Sequence, residues 1–135
     1  MVKIWTREEY DKLTNGKIFW KIECPFCDFT WKQDQVIWKW EYWKIIYNIF
    51  PLSGDKKHIM AIPNAHKSQH KELSNEEFSE LRDVYQQVEK FYWDLEYFSF
   101  TRETMGNRSV EHLHKHFLPW KMQGEYIIEM LKKQK

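Results

Sequence analysis

"LSNEEFSELRDVYQQVEKFYWDL", residues 73–95, carries the one long helical repeat of the chain and lies between runs that alternate like strands. Ser74 stands three residues before Glu77, the spacing of a capping box, in which a hydroxyl and a carboxylate each satisfy a backbone N–H at the helix start. Apolar residues then recur at Phe78, Leu81, Val84, Tyr85, Val88, Phe91, Tyr92 and Leu95. Such a stripe has to be covered, and the strand-like runs on both sides supply the cover.

Upstream, "QVIWKWEYWKIIYNIF" (35–50) reads as a hairpin turning near Glu41, with Val36, Trp38 and Trp40 on one face and Ile46 and Asn48 sharing a face of the next run. "HIMAIP" (58–63) reads as a short buried strand closed by Pro63. Downstream, "YFSFTRE" (97–103) and "VEHLHKHFL" (110–118) read as two more. The order strand-strand-strand-helix-strand-strand predicts an α+β fold, an antiparallel sheet of about five strands with the long helix on one face and the other face open to chemistry. The tail "GEYIIEMLKKQK" (124–135) reads as a short amphipathic C-terminal helix whose basic end suits its dipole.

A chain of 135 residues is long enough for one domain, 1–135, and too short for two cores. Its net charge of +1 offers no field to attract nucleic acid or an anionic membrane, so neither is expected as a partner. No apolar run approaches the roughly 20 residues of a membrane span, and "MVKIWTREEYDK" lacks a signal-peptide cleavage pattern, so the expected location is cytoplasmic. In a reducing compartment Cys24 and Cys27 would stay reduced, and a bridge over so short a loop would constrain almost nothing.

His112, His114 and His116 fall at every second position of the last predicted strand. Alternate side chains leave a strand on one face about 6 to 7 Å apart, which points three imidazoles together and turns Leu113, Lys115 and Phe117 the other way. Buried imidazoles need hydrogen-bond partners, so the row makes a poor core. As a site it suits nucleophilic and proton-transfer chemistry, because a neutral imidazole held through one nitrogen attacks with the other. Solvated histidines on a surface strand, or a metal-binding row, are the plainer readings of the triplet alone.

"CPFC", "NIFP", "HIMAIPNAH" and "RSVEHLHKHFLP" occur together in an order and spacing that resemble the histidine-triad (HIT) family of nucleotide hydrolases and transferases, over roughly residues 22–119. The resemblance implies a small, usually dimeric α+β domain that binds a small-molecule nucleotide and forms a covalent nucleotidyl-histidine, which water then hydrolyses. It makes His114 the nucleophile, His112 and His116 its flanking partners, and His58 the fourth active-site histidine. Ser109 would bond the phosphate or leaving group, Asn48 the ribose hydroxyls, and Ile46 and Ile49 would sandwich the base. On the residues alone, Asn48 is a strand-end cap and Ser109 a solvated hydroxyl.

Three positions depart from the family pattern. Lys115 stands where a hydrophobic residue is usual, so its stem must snorkel or that face must reach water. Asn107 and Arg108 replace a common Gly-Gln, and a guanidinium there could fork onto phosphate oxygens. Pro119 and Trp120 replace small residues. The family's bacterial zinc-containing members imply a metal as well: Cys24, Cys27, His66 and His112 would complete one tetrahedral structural zinc site, whereas two thiolates by themselves are not enough. Without metal the cysteines are reduced thiols and His66 an ordinary loop histidine; His70 is structural or solvated. Two functions follow, an enzyme working through His114, or a zinc-stabilised nucleotide-binding or interaction module with little or no turnover.

Overall fold

The computed structural model describes residues 24, 26–27, 33–48, 56–103, 111–119, 125, 128 and 132. Five strands form one antiparallel sheet: β1 (Val36–Lys39), β2 (Trp43–Tyr47), β3 (Ile59–Pro63), β4 (Tyr97–Phe100) and β5 (Lys115–Pro119), in the spatial order β1-β2-β3-β5-β4. The long helix α1 (Asn75–Tyr92) joins β3 to β4. Its start is the capping box expected from the sequence: Glu77 N–H donates to Ser74 Oγ at 3.1 Å and Ser74 N–H donates to Glu77 Oε1 at 2.7 Å. The three described residues of the tail, Glu125, Ile128 and Lys132, are helical.

Strand alternation sorts side chains to two faces. Toward the helix, Trp43, Ile45, Ile59, Ala61 and Phe117 meet Val84, Val88 and Tyr92, and Leu113 joins them. Each large apolar side chain of this layer removed from water contributes on the order of 1.5–3 kcal/mol, which makes the layer the main source of stability. Polar bonds fix how the layers sit: Trp43 Nε1 donates to Glu77 O at 2.8 Å, Tyr92 Oη to Lys57 O at 2.6 Å, and the Tyr42 N–H to Glu80 Oε2 at 2.8 Å. On the opposite face Ile46, Met60 and Ile62 pack with Phe26. That second, smaller cluster is the floor of the site described below.

The sequence reading needs three corrections. Val36 does not share a face with Trp40: the pairing steps from Val36↔Ile46 to Trp38↔Ile45, a bulge, so Val36 packs against the Phe26 cluster and Trp40 against the helix side. The last strand starts only at Lys115, because the Leu113 N–H donates to Lys67 O at 2.6 Å in a loop instead of joining the sheet. The helix ends at Tyr92, before Leu95, where Trp93 takes φ 57°, a backbone region that favours glycine. Two residues of the predicted stripe, Phe78 and Tyr85, remain 48% and 39% exposed. Among the described residues no helix is long and apolar enough to cross a membrane.

Candidate active site and metal centre

Everything at the site hangs on the chain between Glu111 and Phe117. His112 is fully buried, and its Nε2–H donates to Pro63 O at 2.8 Å. That bond fixes the tautomer and leaves the Nδ1 lone pair facing the cysteines. Cys24 Sγ lies 3.3 Å and Cys27 Sγ 3.5 Å from this nitrogen, and Cys27 Sγ lies 3.2 Å from Nδ1 of His66. The four donor atoms are all within 4.8 Å of one another. Around a tetrahedral zinc with the usual bond lengths, ligand atoms stand roughly 3.3 to 3.8 Å apart. The two sulfurs and two nitrogens therefore fit one such ion in element, number and spacing. In the bare protein, desolvation and then the neighbouring Cys24 push the Cys27 thiol up to about 11, against the pull of Lys44.

His114 is half-buried, and its Nδ1 lies 2.7 Å from the carbonyl oxygen of His112. A carbonyl only accepts, so Nδ1 carries a proton, and in the neutral ring Nε2 holds the lone pair. The ring lies 4.9 Å from that of His116 and edge-on to Phe26 at 5.3 Å. His116 places Nδ1 2.8 Å from Nε2 of His58, and its ring stacks on Phe100 at 4.5 Å. Asn48 Nδ2 lies 3.3 Å from the same His58 nitrogen. With the amide donating, His58 Nε2 is the acceptor, so the shared proton of the imidazole pair sits on His116 Nδ1. Burial, followed by the nearby His114, lowers His58 to about 3; the same causes, with His58 added, hold His116 well below the usual imidazole range. Burial likewise takes His112 to about 3, against the Pro63 bond. These three rings are neutral at neutral pH.

Thus the structure brings together His58, His112, His114, His116, Asn48, Cys24, Cys27 and His66. Ile46 is 1% exposed and belongs to the floor with Phe26, Met60 and Ile62, which leaves it almost no surface to offer a base. Ile49, Asn107, Arg108, Ser109 and Trp120 lie outside the described residues. The two histidine and lysine puzzles of the sequence resolve each other: Lys115 Nζ lies 3.0 Å from His70 Nε2 and donates to Thr101 Oγ1 at 3.4 Å. His70 Nδ1 lies 2.7 Å from Glu103 Oε1, and burial followed by the nearby Lys115 lowers the pKa of the ring, so the carboxylate meets a neutral imidazole. The stem of Lys115 is half-buried while its ammonium reaches a polar chain ending at an exposed carboxylate.

Sequence reading missed Phe26, Phe100, Lys44 and the Pro63 carbonyl. Phe26 carried a signal, since it lies within the C-x-x-C. Phe100 carried none, because its stacking on His116 depends on the β4–β5 register.

The HIT domain family model matches residues 30–123. No curated protein matches at a significant level. Among solved structures, the chain is similar to a hypothetical protein from Leishmania major, at 20% identity over 82% of this chain and 92% of that one, with a TM-score of 0.61. A HIT family hydrolase from Legionella pneumophila Philadelphia 1 is 17% identical over 74% and 95%, with a TM-score of 0.58. A Zn-bound histidine triad family protein from Mycobacterium smegmatis is 19% identical over 64% and 65%, with a TM-score of 0.51. At these identities the likeness is one of fold.

Proposed function

This chain belongs to the HIT family, and on that premise we propose that it is a nucleotide hydrolase or transferase whose nucleophile is His114. The observation that carries the reading is the 2.7 Å bond from His114 Nδ1 to the His112 carbonyl. It aims Nε2 and supplies an acceptor for the positive charge that the ring gains when Nε2 bonds to phosphorus. The α-phosphorus of a nucleoside phosphoramidate or related nucleotide accepts the Nε2 lone pair, the bond to the leaving group breaks with its electron pair, and the leaving group takes up a proton from solvent. Water then attacks the phosphorus of the nucleotidyl-histidine and gives a proton to solvent, while the P–N bond breaks with its electron pair returning to Nε2 and the monophosphate departs. His58 and His116 stay neutral beside the ring and so add no like charge to the imidazolium-like intermediate. Asn48 would bond the ribose while its amide steadies His58. Ser109, Asn107 and Arg108 would act on the phosphate, and Ile49 on the base.

Cys24, Cys27, His66 and His112 would hold a structural zinc ion, which ties the C-x-x-C to the catalytic stretch. Thiolate-bound zinc suits a reducing compartment such as the cytoplasm. The exposed Phe78 and Tyr85 on α1 support a homodimer face. Because Lys115 finds His70 and Thr101, that departure gives no support to an inactive binding module. Incubation with a nucleoside phosphoramidate tests the reading. The wild-type protein is expected to release the free monophosphate over many turnovers; binding without any release would reject catalysis.

A further inference from the structure

Lys44 lies in the middle of β2, is 6% exposed, and shares its face with apolar residues: Ile46 on its own strand and Ile62 opposite it on β3. An ammonium there loses water, a cost that an apolar side chain of the same length would avoid. Its Nζ donates to the carbonyl oxygen of Phe26 at 3.0 Å, inside the C-x-x-C turn. The other half of the same peptide unit, the Cys27 N–H, donates to Cys24 O at 3.1 Å. A peptide is planar, so fixing both its oxygen and its N–H leaves the Cα of Cys27 little freedom to rotate. From that fixed point Sγ stands 3.2 Å from His66 Nδ1 and 3.5 Å from His112 Nδ1.

We infer that Lys44 is the positioning residue of the metal centre, a clamp from the sheet that holds the Phe26–Cys27 peptide in the conformation that aims Cys27 at the other three ligands. The inference rests on the zinc reading of Cys24, Cys27, His66 and His112. It names a residue outside the ligand set, which no spacing rule would find, since Lys44 lies 17 positions beyond Cys27 on another element. Removing such an outer-shell partner elsewhere lowers metal affinity by about 10- to 100-fold. Phe26 extends the effect inward, because its ring, carried on the clamped peptide, is edge-on to His112 at 6.0 Å and to His114 at 5.3 Å.

The test is a zinc titration of the full-length, reduced protein against a chromophoric chelator, with wild type, Lys44→Met and Lys44→Arg in parallel, and urea melts of the zinc-free forms alongside. Lys44→Met fills the same volume without a donor or charge, and is expected to weaken zinc binding by about 10- to 100-fold while the zinc-free fold is as stable as wild type or more so. Lys44→Arg keeps donor and charge and should stay within about threefold. Should Lys44→Met fail to fold, Lys44→Gln replaces it, with a shorter neutral donor and an expected loss of at least about threefold. Wild-type affinity in the folded Met or Gln variant overturns the clamp. So does a loss of zinc affinity matched by an equal loss of zinc-free stability, which would make Lys44 a core residue only. If the wild-type protein itself takes up no zinc, it is the reading of the four ligands that fails.

Discussion

At the scale of the residue, one carbonyl decides more than any side chain. The His112 oxygen takes the proton-bearing nitrogen of His114, and the His112 ring, turned by Pro63 O, presents its other nitrogen to the cysteines. Spacing alone puts three imidazoles in one row, and two of them do stand ring to ring at 4.9 Å. Which nitrogen of each ring points where is set by carbonyls 2 and 49 positions away, so no reading of the sequence could supply the tautomers. Separations of 16 and 18 positions likewise hide Phe100 under His116 and Lys44 behind Phe26. Lys115 leads to a prediction of its own. Its polar chain runs through a half-buried His70 to an exposed Glu103, so removing the ammonium strands no buried charge. Lys115→Met should leave unfolding free energy in urea unchanged or raise it by about 1 kcal/mol; a loss of more than about 2 kcal/mol would show that the chain is a structural necessity.

The elements were legible where a local pattern suffices. The capping box at Ser74 and Glu77 marks the start of α1 to the residue, and the turn near Glu41 separates β1 from β2 as the alternation predicts. The pattern fails where a long-range bond or an extra residue intervenes. The β1 bulge reverses Val36 relative to Trp40 because only the partner strand reveals which residue is surplus. The start of β5 moves to Lys115 because Lys67 O captures the Leu113 N–H. That capture also serves the site. His112 and His114 thus lie just before β5, where His112 meets both cysteines of the C-x-x-C. The end of α1 at Trp93 is set by a backbone turn, and the periodicity of apolar residues, which runs on to Leu95, carries no sign of it.

For the molecule as a whole, one side of the sheet is given to stability and the other carries His58 and His116, whose pKa values burial lowers, and this division makes the fold sensitive to acid. His58 has its pKa lowered to about 3 in the folded protein against about 6.5 when unfolded, with Asn48, His114 and His116 around it. Above pH 6.5 both states are neutral and nothing is lost. As the pH falls below 6.5 the unfolded chain takes the proton and the folded one does not, so stability drops by about 1.4 kcal/mol per pH unit for this group until about pH 3. His116, shifted in the same direction, steepens the slope. Urea denaturation with chelator present, so that metal release plays no part, should therefore show at least about 2 kcal/mol less stability at pH 5 than at pH 7.5; a flat profile would mean that these imidazoles are charged or exposed. The central claim remains that His114 attacks phosphorus, and it is read most directly on the intact protein. Mass spectrometry after mixing with a slow phosphoramidate should find one acid-labile nucleotidyl group, mapped to the peptide holding "EHLHKHF". His114→Ala should form none, with kcat down by several orders of magnitude and nucleotide affinity within about tenfold. An adduct of equal yield on the His114→Ala protein, or wild-type turnover by it, would contradict the account.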